Sequence, residues 1–134
     1  VRYLLDTNIC IYIIKKRPTE VLERLVSLDP EEVGVSSITV AELEYGVAKS
    51  SRPRQNREAL LNFLAPLQIL AFDDQAAQHY GKIRAYLERK GQTIGAMDLL
   101  IAAHARSLSL TLVTNNEKEF SRVPGLTVEN WVNG

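Results

Sequence analysis

The chain has a single cysteine, so no internal disulfide can form and the fold must stand without covalent staples. Cys10 lies inside the apolar run ICIYII, where it reads as a small core residue rather than a nucleophile. No apolar stretch reaches the ~18 residues of a membrane span, and no basic start with a small-residue cleavage site is visible. These absences predict a cytosolic protein that does not enter a membrane. Neither sign of charge is in excess, since 16 Lys and Arg balance 16 Asp and Glu. That balance argues against a protein that grips nucleic acid over its whole surface. Zinc-type Cys and His spacing is missing, and so are GxSxG, GxGxxG and Walker A patterns, which weakens zinc, serine hydrolase, dinucleotide and P-loop readings.

What the chain does have is apolar residues in abundance. At 134 residues and 46% hydrophobic, it can bury roughly two thirds of its unfolded surface, so a single domain over residues 1–134 is expected. Short apolar runs at 2–5, 33–36, 68–72, 110–113 and 126–129 read as strands. Helical patterns fall between them, at 7–15, 19–27, 39–49, 55–65 and 74–90, with a further helix opened by TIGAMDLLIAAHA. Strands that are continuously apolar and alternate with helices predict an α/β fold in three layers, with a short, mostly parallel sheet covered on both faces.

In such a sheet a site forms beyond the carboxyl ends of the strands. Three acids fall there. Asp6 ends the first strand, Glu42 is in the first turn of the helix after the second, and Asp98 is in the first turn of the central helix. Each alone has a structural explanation: Asp6 as an N-cap, Thr39 with Glu42 as a capping box, Asp98 as an acid favoured by the helix dipole. Capping does not explain why Glu42 shares a face with Ile38, Tyr45 and Gly46, or Asp98 with Ile94, Ile101 and Ala105, because an unpaired buried carboxylate is costly. Together the three point to a shared cation. Oxygen ligands favour Mg²⁺ or Mn²⁺, and such a site suits phosphate chemistry. The opening DTN is echoed by TNN at residues 114–116, so Thr7, Asn8, Thr114 and Asn116 are candidate supporting groups. Glu119, three residues after Asn116, is a possible fourth acid. Both histidines read as structural, His79 having no recognisable partner.

LLDTN, SSITVAELEYG, IGAMDLLIAAHA, LVTNNEKEF and PGLTVENW, in this order and spacing, resemble the PIN-domain ribonucleases and specifically the VapC-type toxins of bacterial toxin–antitoxin pairs. The resemblance covers nearly the whole chain. It implies Mg²⁺-dependent RNA cleavage with Asp6, Glu42 and Asp98 as the acidic, metal-holding site, and a homodimer. It also implies inhibition by a small VapB-type antitoxin whose C-terminal segment packs over the toxin, with DNA bound by the antitoxin rather than by this chain. One departure is Asn116, where many members have aspartate. An amide brings no negative charge, which weakens the case for a second ion, and Glu119 is the residue that would compensate. TNN and EF are shared with an enteric VapC subgroup that cleaves initiator tRNA in the anticodon stem-loop, so tRNA(fMet) is the implied substrate. Arg17, Lys49, Arg52, Arg54 and Arg84 are candidates for a basic rim that holds RNA phosphates. Two competing readings are a non-catalytic partner in a DNA-bound repressor complex and a signalling receiver domain built around Asp73 and Asp74.

Overall fold

A computed structural model of the chain describes residues 1–132, so the last two positions of the expected 1–134 domain lie outside the described residues. Its centre is β1 (Tyr3–Leu5), three consecutive buried residues. With the side-chain period of two, Tyr3 and Leu5 enter one core and Leu4 the other. β2 (Val33–Ser36) and β4 (Thr111–Val113) flank β1, and β3 (Gln68–Leu70) and β5 (Thr127–Glu129) form the edges, giving the order β3-β2-β1-β4-β5. Each adjoining pair is parallel. From β1 the chain winds outward through β2 to β3, then crosses to β4 and β5 on the other side. The winding direction therefore reverses between β1 and β4, which opens a crevice beyond their carboxyl ends.

One face of the sheet is covered by α1 (Thr7–Lys15), α2 (Thr19–Val26), α3 (Ser37–Ala48) and α4 (Pro53–Leu64). Ile9, Ile13, Val21, Leu43 and Leu60 pack there with Cys10, whose thiol is pushed well up by burial and stays inert. Trp131 closes this core edge-on against Tyr3, at 5.6 Å between ring centroids. α5 (Asp74–Lys90), α6 (Ala96–Ser107) and the one-turn α7 (Glu117–Phe120) cover the other face. Here Ile83 and Leu87 meet Ile101, Ala102 and Ala105, and the small alanines let α6 lie close to both its neighbours. The expected three-layer α/β architecture is present, and among the described residues the sheet is wholly parallel.

Differences from expectation have local causes. α3 starts at Ser37 rather than 39, because Ser36 is its cap, accepting from the Ile38 amide at 3.1 Å. Thr39 is therefore inside the first turn and buried, and the Thr39–Glu42 capping box does not form. α4 starts at Pro53, a residue suited to the first helical position because it has no amide to leave unpaired. His79 does have a partner: it accepts a hydrogen bond at Nδ1 from Arg106 Nε at 2.9 Å. His104 is buried, hydrogen-bonded to Ser36 Oγ at 2.8 Å and edge-on to Phe72, with burial lowering its basicity.

Leu112, fully buried in β4 beside the crevice, tests the packing. Leu112→Ala is expected to lower the unfolding free energy by about 2 to 5 kcal/mol, measured by urea denaturation; a loss below about 1 kcal/mol would mean the site collapses around the deletion or is not packed as described.

Candidate functional site

Asp6, at the carboxyl end of β1, is 4% exposed. Its Oδ1 accepts from the Ile9 amide at 2.8 Å, so it does cap α1. Its own amide donates to the Val113 carbonyl at 3.0 Å, fixing it across the crevice from the end of β4. Burial raises its pKa, and the Thr114 hydroxyl and the Ile9 amide work the other way, while the charge of Glu42 adds to the rise. The cap and the charged site are thus the same residue.

Glu42 reaches the crevice from α3. The Thr7 hydroxyl donates to its Oε1 at 2.6 Å, and the buried Thr39 hydroxyl lies 3.3 Å from Thr7 Oγ1. Thr7 thus joins the first turn of α1 to α3. The face around Glu42 is less enclosed than its apolar neighbours suggest. Tyr45 is 66% exposed, and Glu42 stands on the wall of an open groove of about 560 Å³ lined also by Thr7, Asn8, Tyr45, Lys49 and Met97.

Asp98 is half-buried in the first turn of α6 and accepts no hydrogen bond from the described residues. Burial, then the charges of Glu119, Asp6 and Glu42, raise its pKa to about 6. Glu119 comes from α7. Its Oε1 accepts from the Gly95 amide at 2.9 Å and its Oε2 from Asn116 Nδ2 at 2.6 Å. The Asn116 amide in turn donates to Thr114 Oγ1 at 2.9 Å. β1, α3, α6 and α7 each contribute one acid, and the ion pairs found among the described residues all lie elsewhere.

Would this set suit a metal ion? The donors are carboxylate, hydroxyl and amide oxygens, which fit a hard divalent cation. Among the described residues no three acidic, imidazole or thiolate groups are drawn tightly enough around one point to form a ready cage. An open acidic recess of this kind fits an ion that keeps most of its own water, as Mg²⁺ does.

The predicted basic rim is only partly assembled. Lys49 lines the groove with Glu42 and rests over the Tyr45 ring at 4.8 Å. Arg84 is turned to its own helix, bonded to Glu88 at 3.1 Å and to the Tyr80 hydroxyl at 2.9 Å. Arg17, Arg52 and Arg54 are exposed and line none of the recesses around the acids. Asn8 is exposed on the groove wall. Sequence reasoning missed Lys118 and Arg122, which share an open polar recess with Asn116 and Glu119. Their spacing of four residues around EF was the available signal. Asp73 caps α5, its Oδ1 accepting from the Ala76 amide at 3.0 Å, and lines neither of the recesses beside Glu42 and Glu119.

Residues 3–126 match the PIN domain family. The chain belongs to the PIN-domain family. Within it the chain falls with the VapC ribonucleases. It is 50% identical to Ribonuclease VapC2 of Haemophilus influenzae, over 98% of both chains. It is 45% identical to the tRNA(fMet)-specific endonuclease VapC of Salmonella typhimurium, over 97% of this chain and 98% of that one. A solved structure of VapBC2 from Rickettsia felis, bound to a DNA fragment from its promoter, superposes with a TM-score of 0.92 at 47% identity, over 98% of this chain and 99% of that one.

In this PIN domain the acids have a stability cost that can be measured. Because folding raises the Asp98 pKa from 3.8 to about 6, the ionised group destabilises the fold above pH 6 and the cost disappears as pH falls toward 3.8. With chelator present, Asp98→Asn is expected to stabilise the protein at pH 7.5 by of order 1 kcal/mol, allowing for solvent screening at a half-exposed carboxyl. The gain should shrink toward zero near pH 4, read by urea titrations at both pH values.

Proposed function

We propose that this chain is the toxin of a VapBC-type toxin–antitoxin pair and a Mg²⁺-dependent endoribonuclease, with Mn²⁺ able to substitute. Its substrate on this reading is structured RNA, namely the anticodon stem-loop of initiator tRNA(fMet), and cutting it inhibits translation. The observation that carries the reading is the gathering of Asp6, Glu42, Asp98 and Glu119 at one crevice with no ion pair to any of them among the described residues. Like charges are held together at a cost only where something else supplies the compensating charge.

On this reading Asp6, Glu42 and Asp98 would hold the metal. When bound it makes a water nucleophilic at neutral pH and offsets the charge of the phosphate under attack. The protein's own part is positioning. The cap on α1 holds Asp6, and the Thr7 hydroxyl holds Glu42. Lys49 on one side, and Lys118 and Arg122 on the other, can attract flanking phosphates. A crevice open to solvent admits an exposed loop more readily than a regular helix, in keeping with how sequence-selective RNA recognition works. The tRNA assignment rests on the relative of Salmonella typhimurium that is named for it.

A VapB-type antitoxin is the proposed partner. Beside Glu42 an apolar groove lined by Ile11, Ile14, Val47 and Leu60 offers a partner segment a surface that leads to the acids. DNA would be contacted through the antitoxin, consistent with the chain's zero net charge. A homodimer, a single PIN domain over 1–134 and a cytoplasmic location, where tRNA resides, complete the proposal. The second reading, a non-catalytic member of a DNA-bound complex, is favoured by the DNA-bound relative from Rickettsia felis.

The deciding experiment treats total bacterial RNA with purified, antitoxin-free protein in Mg²⁺, in EDTA, and as Asp98→Asn, with all new ends mapped by sequencing. The expected outcome is one Mg²⁺-dependent cut in the initiator tRNA anticodon stem-loop, absent in EDTA and reduced by about 100-fold or more in the variant. Folded protein that makes no specific cut in Mg²⁺ or Mn²⁺ would move the assignment to the non-catalytic role.

A further inference from the structure

α6 carries Asp98 in its first turn, yet the residue at its N-cap position is Gly95, which has no side chain with which to cap the helix. The segment before it, residues 91–95, is largely exposed. Two side chains from the α7 region tie it down. Glu119 Oε1 accepts from the Gly95 amide at 2.9 Å, and Arg122 Nη1 donates to the Thr93 carbonyl at 3.0 Å. A carbon built at the Cβ position of Gly95 would lie 3.6 Å from Asp98 Oδ2 and 3.9 Å from Glu119 Oε1. The two carboxylates thus flank one small space at the start of α6.

The other oxygen of Glu119 accepts from Asn116 Nδ2 at 2.6 Å. Because an ionised carboxylate can only accept, this contact fixes which end of the Asn116 amide faces Glu119. Asn116 is itself anchored through its backbone amide to Thr114 Oγ1, and Thr114 is beside Asp6. A continuous series of hydrogen bonds therefore runs from the end of β4 through Asn116 and Glu119 to the Gly95 amide at the N-cap of α6. With a carboxylate at position 116 the 2.6 Å contact would join two anions. The amide turns that contact into a charge-assisted hydrogen bond.

We propose that Glu119 is a positioning residue that caps α6 from outside and so sets Asp98, and that Asn116 is the residue that makes this clamp compatible with its charge. This builds on the nuclease reading above, but differs from a role for Glu119 as a fourth metal ligand. A ligand needs its charge, whereas a clamp needs an acceptor for Gly95 and a complementary partner at 116. Glu119→Gln keeps an acceptor for Gly95, and Asn116 can turn over to accept from the new amide. Asn116→Asp opposes two carboxylates and breaks the clamp. Combining Asn116→Asp with Glu119→Gln restores a complementary pair with the donor and acceptor exchanged.

The test measures two quantities on wild type and these three variants: single-turnover RNA cleavage across a Mg²⁺ titration, and hydrogen exchange of the Gly95 amide by NMR in metal-free protein. Exchange of the Leu4 amide in β1 serves as the control for global unfolding. Asn116→Asp is expected to slow cleavage and to speed Gly95 exchange by about tenfold or more, with Leu4 unchanged. Glu119→Gln should keep Gly95 exchange within about threefold of wild type, and the double variant, whose site charge equals that of wild type, should do the same and cleave faster than Asn116→Asp. The proposal is overturned if Asn116→Asp leaves Gly95 exchange unchanged. It is equally overturned if the double variant leaves Gly95 exchange as fast as Asn116→Asp does. Should wild type cut no RNA, the nuclease reading fails, and Gly95 exchange alone then judges the clamp: faster in Asn116→Asp and restored in the double variant supports it, and any other pattern rejects it.

Discussion

Mutual repulsion among carboxylates is the constraint around which this molecule is arranged. Burial and then the charges of Glu119, Asp6 and Glu42 make Asp98 costly to ionise, and burial together with the charge of Glu42 does the same at Asp6. None is relieved by an ion pair among the described residues. Each of the other three is held by neutral donors: the Ile9 amide for Asp6, the Thr7 hydroxyl for Glu42, the Gly95 and Asn116 amides for Glu119. Neutral donors fix a carboxylate without cancelling its charge, so the site stays negative and able to attract a cation. Asp98 accepts no such bond and depends on its helix for its place.

The scaffold makes that arrangement tolerable. Two apolar cores, one on each face of the sheet, anchor the helices that present the acids: Asp98 and Glu119 from first turns, Glu42 from the second turn of α3 rather than the expected first, and Asp6 as the cap of α1. Side chains in such close-packed interiors resist displacement, so the repulsion is met by packing rather than relieved by movement. The reversal of winding between β1 and β4 supplies the place where strand ends and helix starts meet without filling the space between them. On the nuclease reading proposed above, stability is given up locally for concentrated charge, a familiar trade at active sites.

Much of this was legible in the residues. The central strands β1, β2 and β4 showed as apolar runs because the middle of the sheet is covered on both faces, whereas the edge strands β3 and β5 are largely exposed or half-buried. Asp6 showed because it ends an apolar strand, and Glu42 and Asp98 because they interrupt apolar helix faces. Helix starts were harder to read: Ser36 and Ser37 both suit a cap, and only the folded backbone shows that Ser36 takes the Ile38 amide. The pairing of His79 with Arg106 spans 27 residues and left no periodic trace. Arg84 looked like a rim residue but satisfies its charge one turn along its own helix, which spacing alone could equally well have suggested.

The sequence by itself determined the α/β class, the parallel sheet, the three principal acids and the kinship with PIN-domain proteins, because periodicity and residue type are local properties. Tertiary structure decided which of the polar groups meet. Thr7 with Glu42, Asn116 with Glu119, and Glu119 with Gly95 are contacts between elements, set by how α1, α3, α6 and α7 pack around one crevice. A hydrogen bond depends on distance and angle, and across elements those are fixed only when the helices have settled on the sheet.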